Sequence, residues 1–216
     1  MIHLALALLV LTQEAPVAPP TDARSVPLER VFPFWQDYQA LPSDERDAFD
    51  LAYSFTLSRP EGAGFWVDIG GEYEALTLDQ RGLVHPPAEA DFDSGLLFTD
   101  APAGGVTVSM YLSLAADLSE RYEMRELEAA LAQAQNALRE TMGIRSLFMA
   151  NLEVVQFEFE GAAPDAYLIF EDGERREIET VAENIVTIRP GTRRLRNAVA
   201  IEFGHAPVTT RLSTRE

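Results

Sequence analysis

Neither cysteine nor lysine occurs anywhere in this chain. Without a thiol there is no disulfide, no thiolate metal ligand and no cysteine nucleophile. Without lysine there is no side-chain amine for Schiff-base chemistry. All 17 cationic side chains are therefore arginines. Histidine is scarce as well: His3, His85 and His205 are the only three, and no two stand at helical spacing, which removes a helical histidine pair as a zinc site. No glycine-rich phosphate loop and no Gly-x-Ser-x-Gly elbow is present. Positive charge is outweighed throughout, leaving a formal net charge of -18. Such a surface repels phosphate backbones and anionic lipid, so binding to nucleic acid is not expected.

What the chain does have is an ordinary apolar share of 47% over 216 residues, enough for one large domain or two small ones with a core. Leu4 to Leu11 is a nearly pure apolar run, too short to cross a bilayer. It fits the hydrophobic region of a secretory signal, although no Lys or Arg precedes it and no clean small-x-small cleavage site follows. The expectation is export, to the periplasm or the medium, with no integral span once a signal is removed. Prolines crowd Gln13 to Arg24, and residues 1–24 read as a signal-like segment and a disordered linker.

The stretch from Asp117 to Gly143 reads as one amphipathic helix. Asp117 and Glu120 stand three apart like a capping box. Met124, Leu127, Leu131, Ala134, Leu138 and Met142 recur on one face. Gly143 follows as a stop. Core packing accounts for such a stripe more simply than partner binding does.

On either side of this helix the hydrophobic pattern repeats. Gly71 falls on Gly173 at a shift of 102 positions (173 − 71), and the halves then align without a gap. Tyr53, Phe55 and Leu57 alternate with polar residues, as do Val155, Phe157 and Phe159, so both segments read as half-buried strands in the same phase. Gly70–Gly71 and Asp172–Gly173 suit two-residue hairpin turns. Gly82 and Asn184 fall at equivalent places, and both residue types accept a left-handed conformation. About six short strands per half predict a mainly β fold with accessory helices. It is read as two tandem β-sandwich modules (transthyretin-like or immunoglobulin-like), residues 25–114 and 115–216. Each module is preceded by helical sequence; in the first this is Leu28 to Leu41, interrupted at Pro33.

Candidate chemistry is sparse, and no catalytic residue is assigned. Glu72 and Glu74, like Glu158 and Glu160, share a strand face. Such acid pairs could serve a carboxylate-dependent hydrolase, but a solvated outer face explains them more simply. His85 and His205 read as turn residues. In Glu89-Ala90-Asp91-Phe92-Asp93-Ser94-Gly95 the acids Glu89, Asp91 and Asp93 alternate before a glycine, like the front of a calcium loop, although a glutamate near the loop's end is missing. Phe92 offers another reading, as an anchor for the loop. The equivalent loop in the second half carries Arg189, Arg193, Arg194 and Arg196. These arginines could meet the acidic loop, within the chain or between copies, or could hold a phosphate or an acidic sugar.

The strand–turn–strand spacing with Asp79-x-x-Gly82 resembles transthyretin-like and carboxypeptidase-regulatory-like sandwiches. The resemblance implies a fold type and transfers no site. The functional expectation is an exported, non-enzymatic, two-module protein of a bacterial-type cell envelope that binds a protein or carbohydrate partner. The alternatives are the hydrolase and a divalent-cation-binding module.

Overall fold

The computed structural model describes residues 18–58, 62–79, 81–142, 151–178 and 183–214. The signal-like run at Leu4–Leu11 and the stop at Gly143 lie outside those residues. The first half runs β1 (Arg24–Pro27), α1 (Leu28–Val31), α2 (Trp35–Ala40), β2 (Phe49–Leu57), β3 (Phe65–Ile69), β4 (Glu72–Ala75), β5 (Leu83–Val84), β6 (Leu96–Thr99) and β7 (Val106–Leu114). The second runs β8 (Arg121–Glu123), α3 (Met124–Met142), β9 (Leu152–Glu158), β10 (Ala166–Phe170), β11 (Arg175–Glu177), β12 (Ile185–Ile188), β13 (Ala198–Phe203) and β14 (Thr209–Thr214).

The fold is mainly β, with four antiparallel sheets and no closed barrel among the described residues. In the first half a four-stranded sheet has the order β1-β6-β3-β4 and a three-stranded one β5-β2-β7. In the second the orders are β8-β13-β10-β11 and β12-β9-β14. Strand for strand these orders are the same. Within each half, side chains of the two sheets meet. Phe55 of β2 contacts Phe65 of β3 edge-on, with centroids 4.9 Å apart, and Phe157 of β9 lies 4.8 Å from Phe203 of β13.

Among the described residues each half holds seven strands rather than six. Arg24, the last residue of the expected linker, opens the strand Arg24–Pro27, which pairs with β6. Arg121–Glu123 was expected to be helical, yet it pairs with β13. The helix therefore starts at Met124, after Asp117 and Glu120, and no capping box forms there. Instead Ser119 receives Arg121 N–H on its Oγ (3.2 Å) and gives its own N–H to Tyr122 Oη (3.0 Å). The stripe on α3 lies where its periodicity puts it: Met124, Leu127, Leu131, Ala134 and Leu138 are buried.

The helical reading of Leu28 to Leu41 resolves into two short helices. Pro33 lacks an N–H and disfavours helical geometry at the residue before it, and Phe32 sits at φ -119, ψ 61. Phe34 then adopts φ 78, the one described non-glycine residue in the left-handed region. Tyr53, fully buried, donates its hydroxyl to Pro33 O and holds this break in place.

The gap-free alignment fails in one hairpin. Gly70 and Gly71, at φ 65 and 94, make the expected two-residue turn between Ile69 and Glu72. In the second half Phe170 and Glu174 close a three-residue turn, with Gly173 at φ 83. One extra turn residue moves the inward phase of β10 to Ala166, Leu168 and Phe170, matching Phe65, Val67 and Ile69 at a shift of 101 rather than 102. Gly82 has φ 75, but Asn184 has no positive φ. The β12–β9 register differs to match, with Asn184 O receiving Phe159 N–H (2.9 Å) where Gly82 O receives that of Phe55 (2.8 Å).

The halves join along β7 and β14, the inner edges of the two three-stranded sheets. Tyr111 Oη lies 3.0 Å from Thr209 Oγ1 and donates to Thr210 O at 3.1 Å. Leu114 N–H donates to Thr210 Oγ1 at 3.1 Å. Arg81 Nη1 reaches Val208 O at 3.3 Å. From the other side α3 holds the first half through Gln133. Its Oε1 accepts from Ala48 N–H (2.8 Å), and its Nε2 donates to Asp44 O (2.8 Å) and Asp47 Oδ1 (2.7 Å). One continuous hydrophobic cluster runs from Leu28 through α3 to Leu212.

Candidate functional site: an arginine face

The connection from β12 to β13 is folded by its own backbone. Gly191 takes φ 75, Thr192 Oγ1 donates to Arg189 O (3.1 Å), and Leu195 N–H donates to Thr192 O (2.9 Å). Leu195 packs against the core, so its neighbours Arg193, Arg194 and Arg196 turn outward and are exposed. These three line a cleft of about 460 Å³ together with Arg176 from β11. A second cleft of about 470 Å³ is shared by Arg176 and Arg194, with Leu168, Ile178 and Leu195 as an apolar floor.

Arg176 is already engaged, with Glu174 at 3.1 Å and the Phe170 ring 4.5 Å from its guanidinium carbon. Arg193, Arg194 and Arg196 make no ion pair and no side-chain hydrogen bond among the described residues. Glu171 and Asp172 line the rim of the first cleft, which gives it a mixed but cation-rich mouth. Arg189 lies apart, in a cleft of about 420 Å³ against α3, with Glu128, Arg139 and Glu153. The structure thus gathers three of the four arginines singled out in the sequence and adds Arg176. That residue was missed because only strand pairing brings β11 beside the loop. The doublet Arg175–Arg176 after a hairpin glycine was the available signal.

The acidic loop is built differently. Ala90 and Phe92 are buried, Phe92 against the Phe32 ring at 6.3 Å, while Glu89, Asp91 and Asp93 alternate outward. Asp91 Oδ1 accepts the N–H groups of Asp93 (3.0 Å) and Ser94 (3.4 Å), and Oδ2 accepts the Ser94 hydroxyl at 2.5 Å. The Ser94 hydroxyl, ahead of the Asp93 N–H, lowers the Asp91 pKa. Gly95 closes the loop onto Asp91 O at 2.7 Å, where a Cβ would come within 2.1 Å of that oxygen. Asp93 accepts from Gln36 Nε2 at 3.3 Å. No three His, Asp or Glu side chains converge as a metal-holding group among the described residues. Nor does any ion pair there join Glu89, Asp91 or Asp93 to Arg189, Arg193, Arg194 or Arg196.

The histidines sit at separate places. His85 Nε2 lies 3.7 Å from Asp50 Oδ2, and Asp50 Oδ1 is 3.4 Å from Tyr38 Oη. His205 stacks edge-on against Phe159 at 5.4 Å. Asp79, in the turn that carried the resemblance, accepts N–H groups from Arg81 (2.8 Å) and Leu83 (2.9 Å) and the Arg81 guanidinium at 2.8 and 2.9 Å. Partial burial pushes its pKa up, but these donors together outweigh burial and leave it below the usual carboxylate range. No described helix is long and apolar enough to cross a membrane. Comparison with protein-family models, with curated proteins and with solved structures gives no match.

Proposed function

We propose that this is a non-catalytic binding protein of a bacterial-type cell envelope, exported by its N-terminal segment. In this reading it is built from two like β-sandwich modules and uses the second to hold an anionic partner, an acidic carbohydrate or an acidic protein segment. One observation carries the reading. In a chain of net charge -18, three arginines that make no ion pair among the described residues stand on one small face beside a fourth. Guanidinium groups match carboxylate and phosphate geometry in pairs, and the four arginines outnumber the carboxylates Glu171, Asp172 and Glu174 that line the same cleft. The apolar floor at Leu168, Ile178 and Leu195 suits the ring face of a sugar or an apolar side chain flanking the acid.

The test is titration of the full chain with oligogalacturonate and, separately, with poly-glutamate at low ionic strength. Arg193→Ser/Arg194→Ser/Arg196→Ser is expected to lower affinity for the ligand that binds at least tenfold, in line with losing several charge-assisted contacts. Arg24→Ser, on the far half, is expected to change nothing. Equal binding by the triple variant, or binding of neither polymer, would overturn the proposal.

A further inference from the structure

The outer edges of the two four-stranded sheets, β4 and β11, are the most exposed strands in the molecule: Glu72, Tyr73 and Glu74 on one, Arg175, Arg176 and Glu177 on the other. Among the described residues neither has a neighbour on its open side. The phase of each ladder is set by its last bond. Leu76 N–H donates to Phe65 O and Ile178 N–H to Ala166 O, both at 2.9 Å. Bonded positions alternate along an antiparallel pair, so Tyr73 and Ala75 on β4, and Arg175 and Glu177 on β11, turn their N–H and C=O groups to solvent.

These edges occupy the same place in the two halves but differ in charge. Glu72 and Glu74 flank Tyr73; Arg175 and Arg176 stand together. Charged edge strands usually keep sheets from joining. Here the charge blocks β4 from β4 and β11 from β11, yet it favours the unlike pair.

We infer that β4 of one copy pairs antiparallel with β11 of a second copy. Two equivalent edges joined antiparallel keep their inner faces on the same side. One register then sets Tyr73 opposite Glu177 and Ala75 opposite Arg175, with both pairs in bonded phase. Glu74 falls opposite Arg176 on the inner side. On the outer side Tyr73, exposed at 36%, falls diagonal to Arg175, whose guanidinium carbon already lies 4.6 Å from the Tyr167 ring. The two sheets become one of eight strands. Because the contact joins different surfaces, each pair keeps one free β4 and one free β11, so association is open-ended unless it closes into a ring. A join three or four residues long is well below the size of a stable interface, so the association is weak and salt-sensitive. Arg176 belongs to both surfaces, but the pairing does not rest on the anionic-partner reading, since Arg193, Arg194 and Arg196 lie on the loop and not on the paired edge.

Sedimentation of the full chain at low salt, over rising concentration, tests this. Wild type is expected to rise above the mass of one chain and to return to it at high salt. Glu72→Arg/Glu74→Arg has two basic edges, and Arg175→Glu/Arg176→Glu has two acidic ones; each alone stays at the mass of one chain, and an equal mixture associates again. In the associated wild type, amide exchange at Tyr73, Ala75, Arg175 and Glu177 slows at least tenfold. The loop variant Arg193→Ser/Arg194→Ser/Arg196→Ser still associates while losing its anionic ligand, which separates the two proposals. A wild type that stays single at every concentration, association that survives in both edge variants, or unchanged exchange at those four amides would overturn the pairing.

Discussion

At the scale of residues, Asp79 shows how one side chain organises a turn. Its carboxylate accepts two N–H groups and the Arg81 guanidinium, and Arg81 reaches on to the second half at Val208. The folded carboxyl keeps its charge to a lower pH than the unfolded one. Its contribution to stability is therefore complete above about pH 4 and is lost as pH falls through the folded value. Asp79→Asn is expected to be less stable than wild type at neutral pH and to lose less on acidification, so that urea midpoints of the two proteins converge once the pH falls below the folded value. The motif Asp79-x-x-Gly82 was legible because its residue types are those that turns demand. Asn184 was misread for the same reason: residue type permits a positive φ but does not impose one. Phe34 was the opposite case, since no sequence rule assigns a left-handed φ to a phenylalanine. It takes one because Pro33 breaks the helix there and Tyr53 fixes the break.

At the scale of elements, periodicity served well where an element was long. The stripe on α3 and the alternation along β2 and β9 each extend over enough residues to fix a face. The misses were short. Arg24-Ser25-Val26-Pro27 and Arg121-Tyr122-Glu123 carry too few residues for a period to show, and they become strands only because β6 and β13 offer open edges. Turn length was also invisible, and one added residue before Gly173 shifted the phase of β10. The same limit hid Arg176 from the site, while the loop arginines, contiguous in sequence, could be found. Helix α3 makes a sharp prediction here, because Gln133 alone ties three groups of the first half to a helix of the second. Gln133→Ala leaves Ala48 N–H without its acceptor and is expected to cost about 1–3 kcal/mol. Gln133→Glu, which keeps the acceptor and regains a donor only when protonated, is expected to cost less at pH values where it is protonated. Chemical denaturation of both variants across pH distinguishes these outcomes.

At the scale of the whole molecule, the two halves share the same wiring and one core. Their seam is made by side-chain hydroxyls reaching backbone groups of the facing edge. Thr210→Val keeps the shape and deletes the hydroxyl, leaving the buried Leu114 N–H unpaired, at an expected cost of about 1–3 kcal/mol. Because the core is continuous across the seam, wild type is expected to unfold in a single calorimetric transition, and a seam weakened at both Tyr111 and Thr210 in two.

Both indoles of the chain, Trp35 and Trp66, are buried in the first half, and the second has none. Tryptophan fluorescence, excited where tyrosine does not absorb, is thus a spectator of one half alone, whereas far-ultraviolet dichroism sees both. Without labels or added probes, a mismatch between the two melting curves dates the parting of the halves, and superposed curves record that they let go together.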